Sequence, residues 1–135
     1  MSLFGALPIA TTGIDAAQQW IDVTGGNIAN ADDVSPTSEG TYATQYVDAV
    51  PIQSTFPGTI GQGVSTSVEL GSDEGAIESE PGNPMADAQG DVRVSTVDLG
   101  QQMVNLVMAQ TSYQANVAVV NQAKTAYQSA LTLGS

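Results

Sequence analysis

The side chains that could do chemistry in this sequence are almost all carboxylates. The chain has no histidine and no cysteine, which excludes Ser–His–Asp and Cys–His catalysis and the usual zinc sites. Two acidic pairs remain as candidates, Asp32 with Asp33 and Glu78 with Glu80. Such a pair could supply the acid and base of a small glycosidase. Neither pair lies among aromatic residues, which make up 5% of the chain. We therefore expect no enzyme and no catalytic residue.

A second acidic group could instead bind a metal ion. Asp73, Glu74, Glu78 and Glu80 lie close together in sequence. They lack the Asp-x-Asp-x-Asp-Gly spacing of a calcium loop. We expect a solvated acidic surface, with no metal site and no cofactor.

The charge balance excludes several partners. The chain has 14 acidic and 2 basic residues and a net charge of −12, which argues against nucleic acid and against an anionic membrane surface. All the acids and Arg93 precede residue 99, and only Lys124 follows it. We expect no small-molecule substrate and no membrane-spanning segment. No Lys or Arg precedes the first apolar residues, so no secretory signal peptide is expected.

The C-terminal stretch must form the longest element. Apolar residues recur there in a 4-3 pattern, which is typical of the contact line of a coiled coil. The first line of the pattern is Leu99, Leu106, Tyr113, Val120 and Tyr127. The second line is Met103, Gln110, Val117, Lys124 and Leu131. Ser95 with Asp98 predicts the start of this helix and Gly134 its end.

The outside of this helix is unusually apolar. Positions that carry Glu and Lys in a solvated coiled coil hold residues such as Val104, Met108 and Val119. One interpretation is a buried helix of a compact domain. We favour the other, in which copies or relatives of this chain surround the helix in an assembly, because 135 residues cannot readily cover so long a helix.

The N-terminal stretch repeats the heptad. Large residues recur every seven positions at Leu7, Ile14, Ile21 and Ile28. Small residues follow each of them by three positions, at Ala10, Ala17, Thr24 and Ala31. Gly25-Gly26 predicts a helix end or kink. The natural partner of this helix is the C-terminal one.

The middle of the chain reads as strands and loops. Asp32 to Pro36 is a loop signal, Tyr42 to Val50 reads as a strand, and Phe56-Pro57-Gly58 as a turn. Val64 to Leu70 alternates apolar and polar residues, which predicts a second strand. Residues 71–94 contain glycines and prolines that forbid a long helix.

These patterns predict a mainly α fold with a small β insertion, in which the terminal helices pair as a coiled coil. We expect an N-terminal helix in 1–33, a β-hairpin with an extended loop in 34–95, and a C-terminal long helix in 96–135.

Three strings point to one family. They are Asn27-Ile28-Ala29-Asn30-Ala31, Asn83-Pro84-Met85-Ala86-Asp87, and Ser112-Tyr113-Gln114-Ala115-Asn116. Together they closely resemble the family of the bacterial flagellar basal-body rod protein C, a proximal rod subunit. The first string is shared by axial flagellar proteins generally, and the second is more specific.

The resemblance implies a structural subunit that polymerises through its terminal helices, transmits torque and encloses the export channel. It implies a place in the basal-body rod of the periplasmic space, reached through the flagellar type III apparatus without a cleaved signal. It also implies as partners the chain itself, other rod proteins, the membrane ring and the rod-base and export-gate proteins. The alternative from another class is an acidic helical chaperone or binding module.

We expect the assembly interface to comprise both helical patterns. Its residues are Leu7, Ile14, Ile21, Asn27, Ile28, Asn30, Leu99, Met103, Leu106, Gln110, Tyr113, Asn116, Val117, Val120, Lys124, Tyr127 and Leu131. Asn116, beside the pattern, could hydrogen-bond across helices and fix their register. Lys124 either meets a carboxylate of a neighbouring subunit or extends its ammonium outward with its stem packed.

Overall fold

The computed structural model describes residues 3–53 and 61–133. Within these residues, one long helix lies near each end of the sequence, and five short strands lie between the two helices. The helices and strands are α1 (Leu3–Ala29), β1 (Val34–Ser35), β2 (Gln45–Pro51), β3 (Val64–Leu70), β4 (Ala76–Ser79), β5 (Asp91–Val94) and α2 (Leu99–Leu133). The predicted class, mainly α with a small β insertion, is confirmed.

Helix α1 does not end at Gly25-Gly26. It runs on to Ala29, so the predicted helix end was wrong. Asn30 caps the end of this helix, because its backbone N–H and its side-chain Nδ2 both donate to the carbonyl oxygen of Gly26. Tertiary contacts of Asn27, described below, offset the low helix propensity of the two glycines.

Helix α2 begins one turn later than the capping signal at Ser95 suggested. Asp98 is the N-cap, since its Oδ1 accepts a hydrogen bond from the N–H of Gln101 at 2.9 Å. At 1.5 Å per residue, the 35 residues extend about 52 Å. The predicted stop at Gly134 lies outside the described residues. Across 3–53 and 61–133, neither helix is apolar enough over sufficient length to cross a membrane.

Strands β2 and β3 form a two-stranded sheet. The N–H of Ile52 donates to the carbonyl of Gly63, and that of Gly71 donates to the carbonyl of Thr44, so the strands are antiparallel. The second strand spans the predicted Val64–Leu70. The first begins at Gln45 rather than Tyr42. The predicted turn at Phe56-Pro57-Gly58 falls outside the described residues.

The remaining strands form a second antiparallel sheet in the order β1-β5-β4. The predicted loop from Asp32 to Pro36 therefore includes the two-residue strand β1. Gly75, with φ +55°, precedes β4 where a β-carbon would collide with the carbonyl of Val94 and the side chain of Thr41. Arg93 of β5 donates to the backbone carbonyls of Thr37 and Glu74 and so ties two loops to this sheet.

The chain divides into two compact units, and each contains a part of both helices. Unit 1 comprises the described parts of Met1–Ile21, Asp48–Ser67 and Val107–Ser135. Unit 2 comprises Asp22–Val47 and Val68–Leu106. The division of the sequence at residues 33/34 and 95/96 stays a prediction.

Candidate assembly interface

Small side chains form the buried line of α1. Ala10 and Ala17 are buried in unit 1, and Thr24 is buried in unit 2. This confirms the predicted line of small residues as far as Thr24, whereas Ala31 lies beyond the helix. The predicted large line is half-buried throughout, at Leu7, Ile14, Ile21 and Ile28.

The buried line of α2 is displaced by one residue from the predicted second line. Its members Met103, Gln110, Lys124 and Leu131 are exposed, and Val117 is half-buried. The positions one residue earlier are the buried ones, at Gln102, Ala109 and Ala123. As members of the assembly interface these residues stay a prediction, whereas within one chain small rather than large side chains face α1.

The first predicted line of α2 is correct only in its middle. Leu106, Tyr113 and Val120 are half-buried, whereas Leu99 and Tyr127 are 42% and 45% exposed. The contact between the two helices of one chain thus involves fewer residues, over a shorter part of α2, than the 4-3 pattern predicts. The ends of the pattern are uncovered in a single chain.

In unit 1 the helices approach most closely at Gly13 and Asn116. A β-carbon on residue 13 would lie 2.7 Å from Asn116 Oδ1, so the contact requires glycine. Asn116 does not hydrogen-bond across the helices as predicted. Its Nδ2 donates to the carbonyl of Ser112 in its own helix at 3.0 Å, and its amide fills the space beside Gly13.

In unit 2 the helices are joined by a polar cluster around Asn27. This side chain is 1% exposed. Its Nδ2 donates to the carbonyl of Gln45 at 2.8 Å and to Oε1 of Gln102 at 3.1 Å. Its Oδ1 accepts from the N–H of Gln45 at 2.9 Å and from the hydroxyl of Tyr42 at 3.0 Å. One asparagine thereby connects α1, the start of β2 and α2.

The surroundings of Asn27 affect the tyrosine as well. Burial raises the pKa of Tyr42 above its ordinary value, so its hydroxyl stays protonated and remains a donor to Asn27.

The span from Gly13 to Asn27 and that from Gln102 to Asn116 are both fourteen residues. A separation of two heptads along the sequence matches the heptad spacing of a coiled coil.

The outer face of α2, the part of its surface that α1 does not cover, contains every exposed large apolar side chain of the described helix residues. Met103, Val107 and Leu131 are 54%, 62% and 57% exposed. Further apolar residues that remain exposed on this helix are Leu99, Val104, Met108, Val119, Tyr127 and Leu133. Lys124 lies among them and is exposed too. In a single chain these side chains would contact water.

The two units differ sharply in charge. By sequence, the ranges of unit 1 contain Asp15, Asp48 and Lys124 and no other charged side chain, a net charge of −1. Those of unit 2 contain 12 acidic residues and Arg93, a net charge of −11. Unit 1 is thus nearly neutral and carries most of the exposed apolar helix face.

Comparison with known proteins identifies the family. A family model described as the flagellar basal body rod FlgEFG protein C-terminal matches residues 88–133. The flagellar basal-body rod protein FlgC of Yersinia enterocolitica is 40% identical over 138 residues, which cover 99% of each chain. The chain belongs to the FlgC family. The FlgC proteins of Salmonella typhimurium and Bacillus subtilis are 38% and 29% identical, again over 99% of each chain.

The strings that carried the resemblance have local structural roles in this FlgC-family chain. Asn83 accepts from the N–H of Met85 and donates to Glu80. Asp87 accepts from the N–H groups of Gln89 and Asp91 and from the hydroxyl of Thr37. The N–H of Asp91 is the main cause that lowers the pKa of Asp87. These bonds hold a rigid turn at whose surface Met85 is exposed.

The four carboxylates of the two candidate catalytic pairs are either hydrogen-bonded to nearby groups or exposed. Asp33 Oδ2 accepts from the hydroxyl of Thr41 and from the N–H of Tyr42, whereas Asp32 is exposed. Glu80 accepts from the amide of Asn83, and Glu78 is exposed on β4. Within the described ranges, no three acidic side chains converge as a metal site would need.

Sequence reasoning missed Gln102 and Gly13 as contact residues, whereas Ala109 and Ala123 are expected from the sequence to let a second helix come close. The signal for them was present, because Gln102, Ala109, Asn116 and Ala123 follow one another at intervals of seven. A heptad line of small and amide residues indicates a close helix contact when a facing line is equally small. That facing line, Ala10, Ala17 and Thr24, had been recognised.

Proposed function

We propose that this FlgC-family chain is a structural subunit of the flagellar proximal rod, which polymerises through the outer faces of its terminal helices. It has no catalytic role in this proposal. The supporting family relation covers 99% of the chain, and the curated relatives bear the name of a rod protein rather than that of an enzyme.

The observation that carries the proposal is the outer face of α2. Soluble monomers rarely leave so many large apolar side chains of one helix uncovered, and large exposed apolar surfaces mark interaction sites. The residues that are fully buried in unit 1 among those described are Ala10, Ala17, Ala109 and Ala123. Alanines contribute little hydrophobic stabilisation, so the larger side chains outside the pair gain far more from a neighbour.

The charge distribution decides which unit can pack at close range. Copies that meet through unit 1 bring together nearly neutral surfaces, whereas copies that meet through unit 2 would each bring a net charge of −11. Like charges at close range raise the free energy of a compact assembly. The proposal therefore assigns the intersubunit contacts to unit 1 and leaves the acidic surface of unit 2 to solvent.

In this arrangement the interface includes the exposed members of the predicted set that lie in unit 1 on α2, such as Lys124, Tyr127 and Leu131. Half-buried members such as Ile14 and Val117 contribute their uncovered atoms. Many helices that interlock in this way would carry rotation without slip and would enclose the channel along which export proceeds.

The remaining parts of the proposal rest on the family relation. The chain lies in the rod, in the periplasmic space, after export through the flagellar type III apparatus without a cleaved signal. Its neighbours are copies of itself, other rod proteins, the membrane ring, and the rod-base and export-gate proteins.

The test is complementation of a host strain from which the gene for this chain has been deleted. Basal bodies are isolated and viewed by electron microscopy, and swimming is scored. The wild-type chain should restore the rod. Val107→Asp, which changes a 62% exposed side chain, should leave the monomer folded and yet abolish the rod, because it buries an unpaired carboxylate on assembly.

A matched control is Leu70→Asp, at a 70% exposed side chain on β3. It makes the same chemical change outside the helices and should assemble and swim normally. A strain that swims with Val107→Asp would refute the assigned interface. A rod that is complete without any copy of the chain would refute the function itself.

A further inference from the structure

The ammonium group of Lys124 belongs to a side chain at the surface of unit 1. Lys124 is exposed on α2, directly after the buried Ala123. By sequence it is the one basic residue in the ranges of unit 1. The acids of the same ranges, Asp15 and Asp48, are both exposed as well.

The helix register keeps Lys124 away from Asp15 of the same chain. The helices are antiparallel in unit 1, since Gly13 lies against Asn116 whereas Ile9 and Ala10 share a groove with Val119. Lys124 is eight residues past Asn116, and its counterpart on α1 is therefore near Gly5. Asp15 lies ten residues from that point, which is about 15 Å along the helix. An ion pair needs the charged atoms within about 4 Å.

We infer that Lys124 forms an ion pair with Asp15 of a neighbouring copy, and thereby joins the outer face of α2 to the outer face of α1. This inference rests on the proposed function. Each copy has one such cation and one such acid on different faces, so the contact is heterologous and repeats from copy to copy. A heterologous contact that does not close into a ring generates a helical array.

The two faces are complementary in size as well as in charge. The exposed positions of α1 around Asp15 are small or polar, and include Gly5, Pro8, Thr11 and Gly25. Those of α2 near Lys124 and further along it are larger and apolar, and include Val119, Tyr127 and Leu131. Large side chains on one helix can pack against the small ones of α1 in the next copy.

Asp15 is a better partner than the acids of unit 2. If Lys124 instead paired with an acid of unit 2 in a neighbouring copy, that contact would bring the unit 2 surfaces, each with a net charge of −11, close to further copies. Asp48 lies on β2 and not on a helix face. Both alternatives are arms of the test.

The first experiment reverses charges in the complemented deletion strain, with isolated basal bodies and swimming as readouts. Lys124→Glu should reduce the yield of complete rods at least tenfold, and Lys124→Glu combined with Asp15→Lys should restore it. Lys124→Met, which keeps the stem without the charge, should give an intermediate yield. Asp48→Lys and Asp73→Lys are controls that should not rescue Lys124→Glu.

The second experiment uses the absence of cysteine from the chain. The double variant Asp15→Cys/Lys124→Cys is treated, in isolated basal bodies, with a bismaleimide that spans the length of a lysine–aspartate pair. Links between copies should produce a ladder of dimers and higher multiples on a denaturing gel. Each single-cysteine variant should give no ladder.

The outcomes separate this inference from the proposed function. Normal rods with Lys124→Glu, rescue only by Asp48→Lys or Asp73→Lys, or rods without a ladder would overturn the ion pair and leave the rod function intact. Failure of the wild-type chain to restore the rod would overturn the function.

Discussion

Gly13 of α1 lies so close to Asn116 of α2 that a β-carbon on residue 13 would be 2.7 Å from Oδ1 of the asparagine. All three terminal atoms of the Asn116 amide are within 2.9 Å of that position. The amide as a whole would have to move to admit an alanine. It is held in place by its hydrogen bond to Ser112.

Gly13→Ala should therefore lower the free energy of unfolding by about 1–3 kcal/mol, because overpacking outweighs the gain in helix propensity. Urea unfolding followed by circular dichroism measures the change. Asn116→Ala in the same chain should recover much of the loss, with a coupling energy of about 1 kcal/mol or more.

The matched control is Gly25→Ala, at an exposed position of the same helix that has nothing within 4 Å of the new β-carbon. It should raise stability by up to about 1 kcal/mol. Equal effects at positions 13 and 25, or additive effects at 13 and 116, would show that the helices are not in close contact there.

Asn27 and Asn30 belong to the same family string but should differ in their contribution to the free energy of unfolding. Asn27→Ala leaves the buried groups of Gln45, Tyr42 and Gln102 without partners and should cost roughly 2–4 kcal/mol. Asn30→Ala removes one exposed bond to the Gly26 carbonyl and should cost about 0.5–1.5 kcal/mol. Thermal unfolding of both variants beside the wild type provides the comparison, and a larger loss at Asn30 would contradict it.

Asp87 should make the turn after β4 depend on pH. Its pKa is lowered in the folded chain, mainly by the N–H of Asp91. A depressed pKa means that the ionised carboxylate contributes stability above the ordinary aspartate pKa, and that this contribution is lost as the pH falls through the folded-state pKa.

Asp87→Asn keeps an acceptor oxygen and removes the charge, so it should unfold at a lower temperature than wild type at pH 7. The difference should shrink toward zero in acid, below the pKa of the folded state. Melting curves of both proteins between pH 7 and pH 2 test this. A difference that stays constant over this range would mean that the charge contributes nothing.

The two parts of α2 should differ in protection when the chain is alone. Residues 99–106 belong to unit 2, where Val92 is 0% exposed and Asn27 binds Gln102. Residues 107–133 contact α1 mainly through small side chains and the Asn116 amide. In a verified dilute monomer, we expect backbone amides of 107–133 to exchange faster than those of 99–106. Equal slow exchange along the whole helix would contradict this, and assembly should remove the difference.

The strand from Val64 to Leu70 could be predicted from the sequence because alternation is a local property. The existence of both helices was predictable for the same reason. The end of α1 was not, since Gly25-Gly26 is a local signal that long-range bonds of Asn27 override. Its partners Gln45 and Gln102 are 18 and 75 residues away in sequence, and no local pattern connects them.

The buried line of α2 shows a different limit. Apolar periodicity reports that Met103, Gln110, Val117, Lys124 and Leu131 share a face, but not which surface covers that face. In a single chain the small line beside it faces α1 instead. A prediction that assumes a self-sufficient chain therefore misplaces the contact line of a helix whose larger side chains are exposed in a single chain.

The exposed apolar side chains of α2 include Met103 and Met108 beside three valines and three leucines. Methionine is unbranched, has three rotatable bonds and a polarisable sulfur, and so adapts its shape to an irregular surface. Surfaces of this composition can repack against more than one partner. The two methionines therefore give α2 a surface that can adjust its shape to the side chains packed against it.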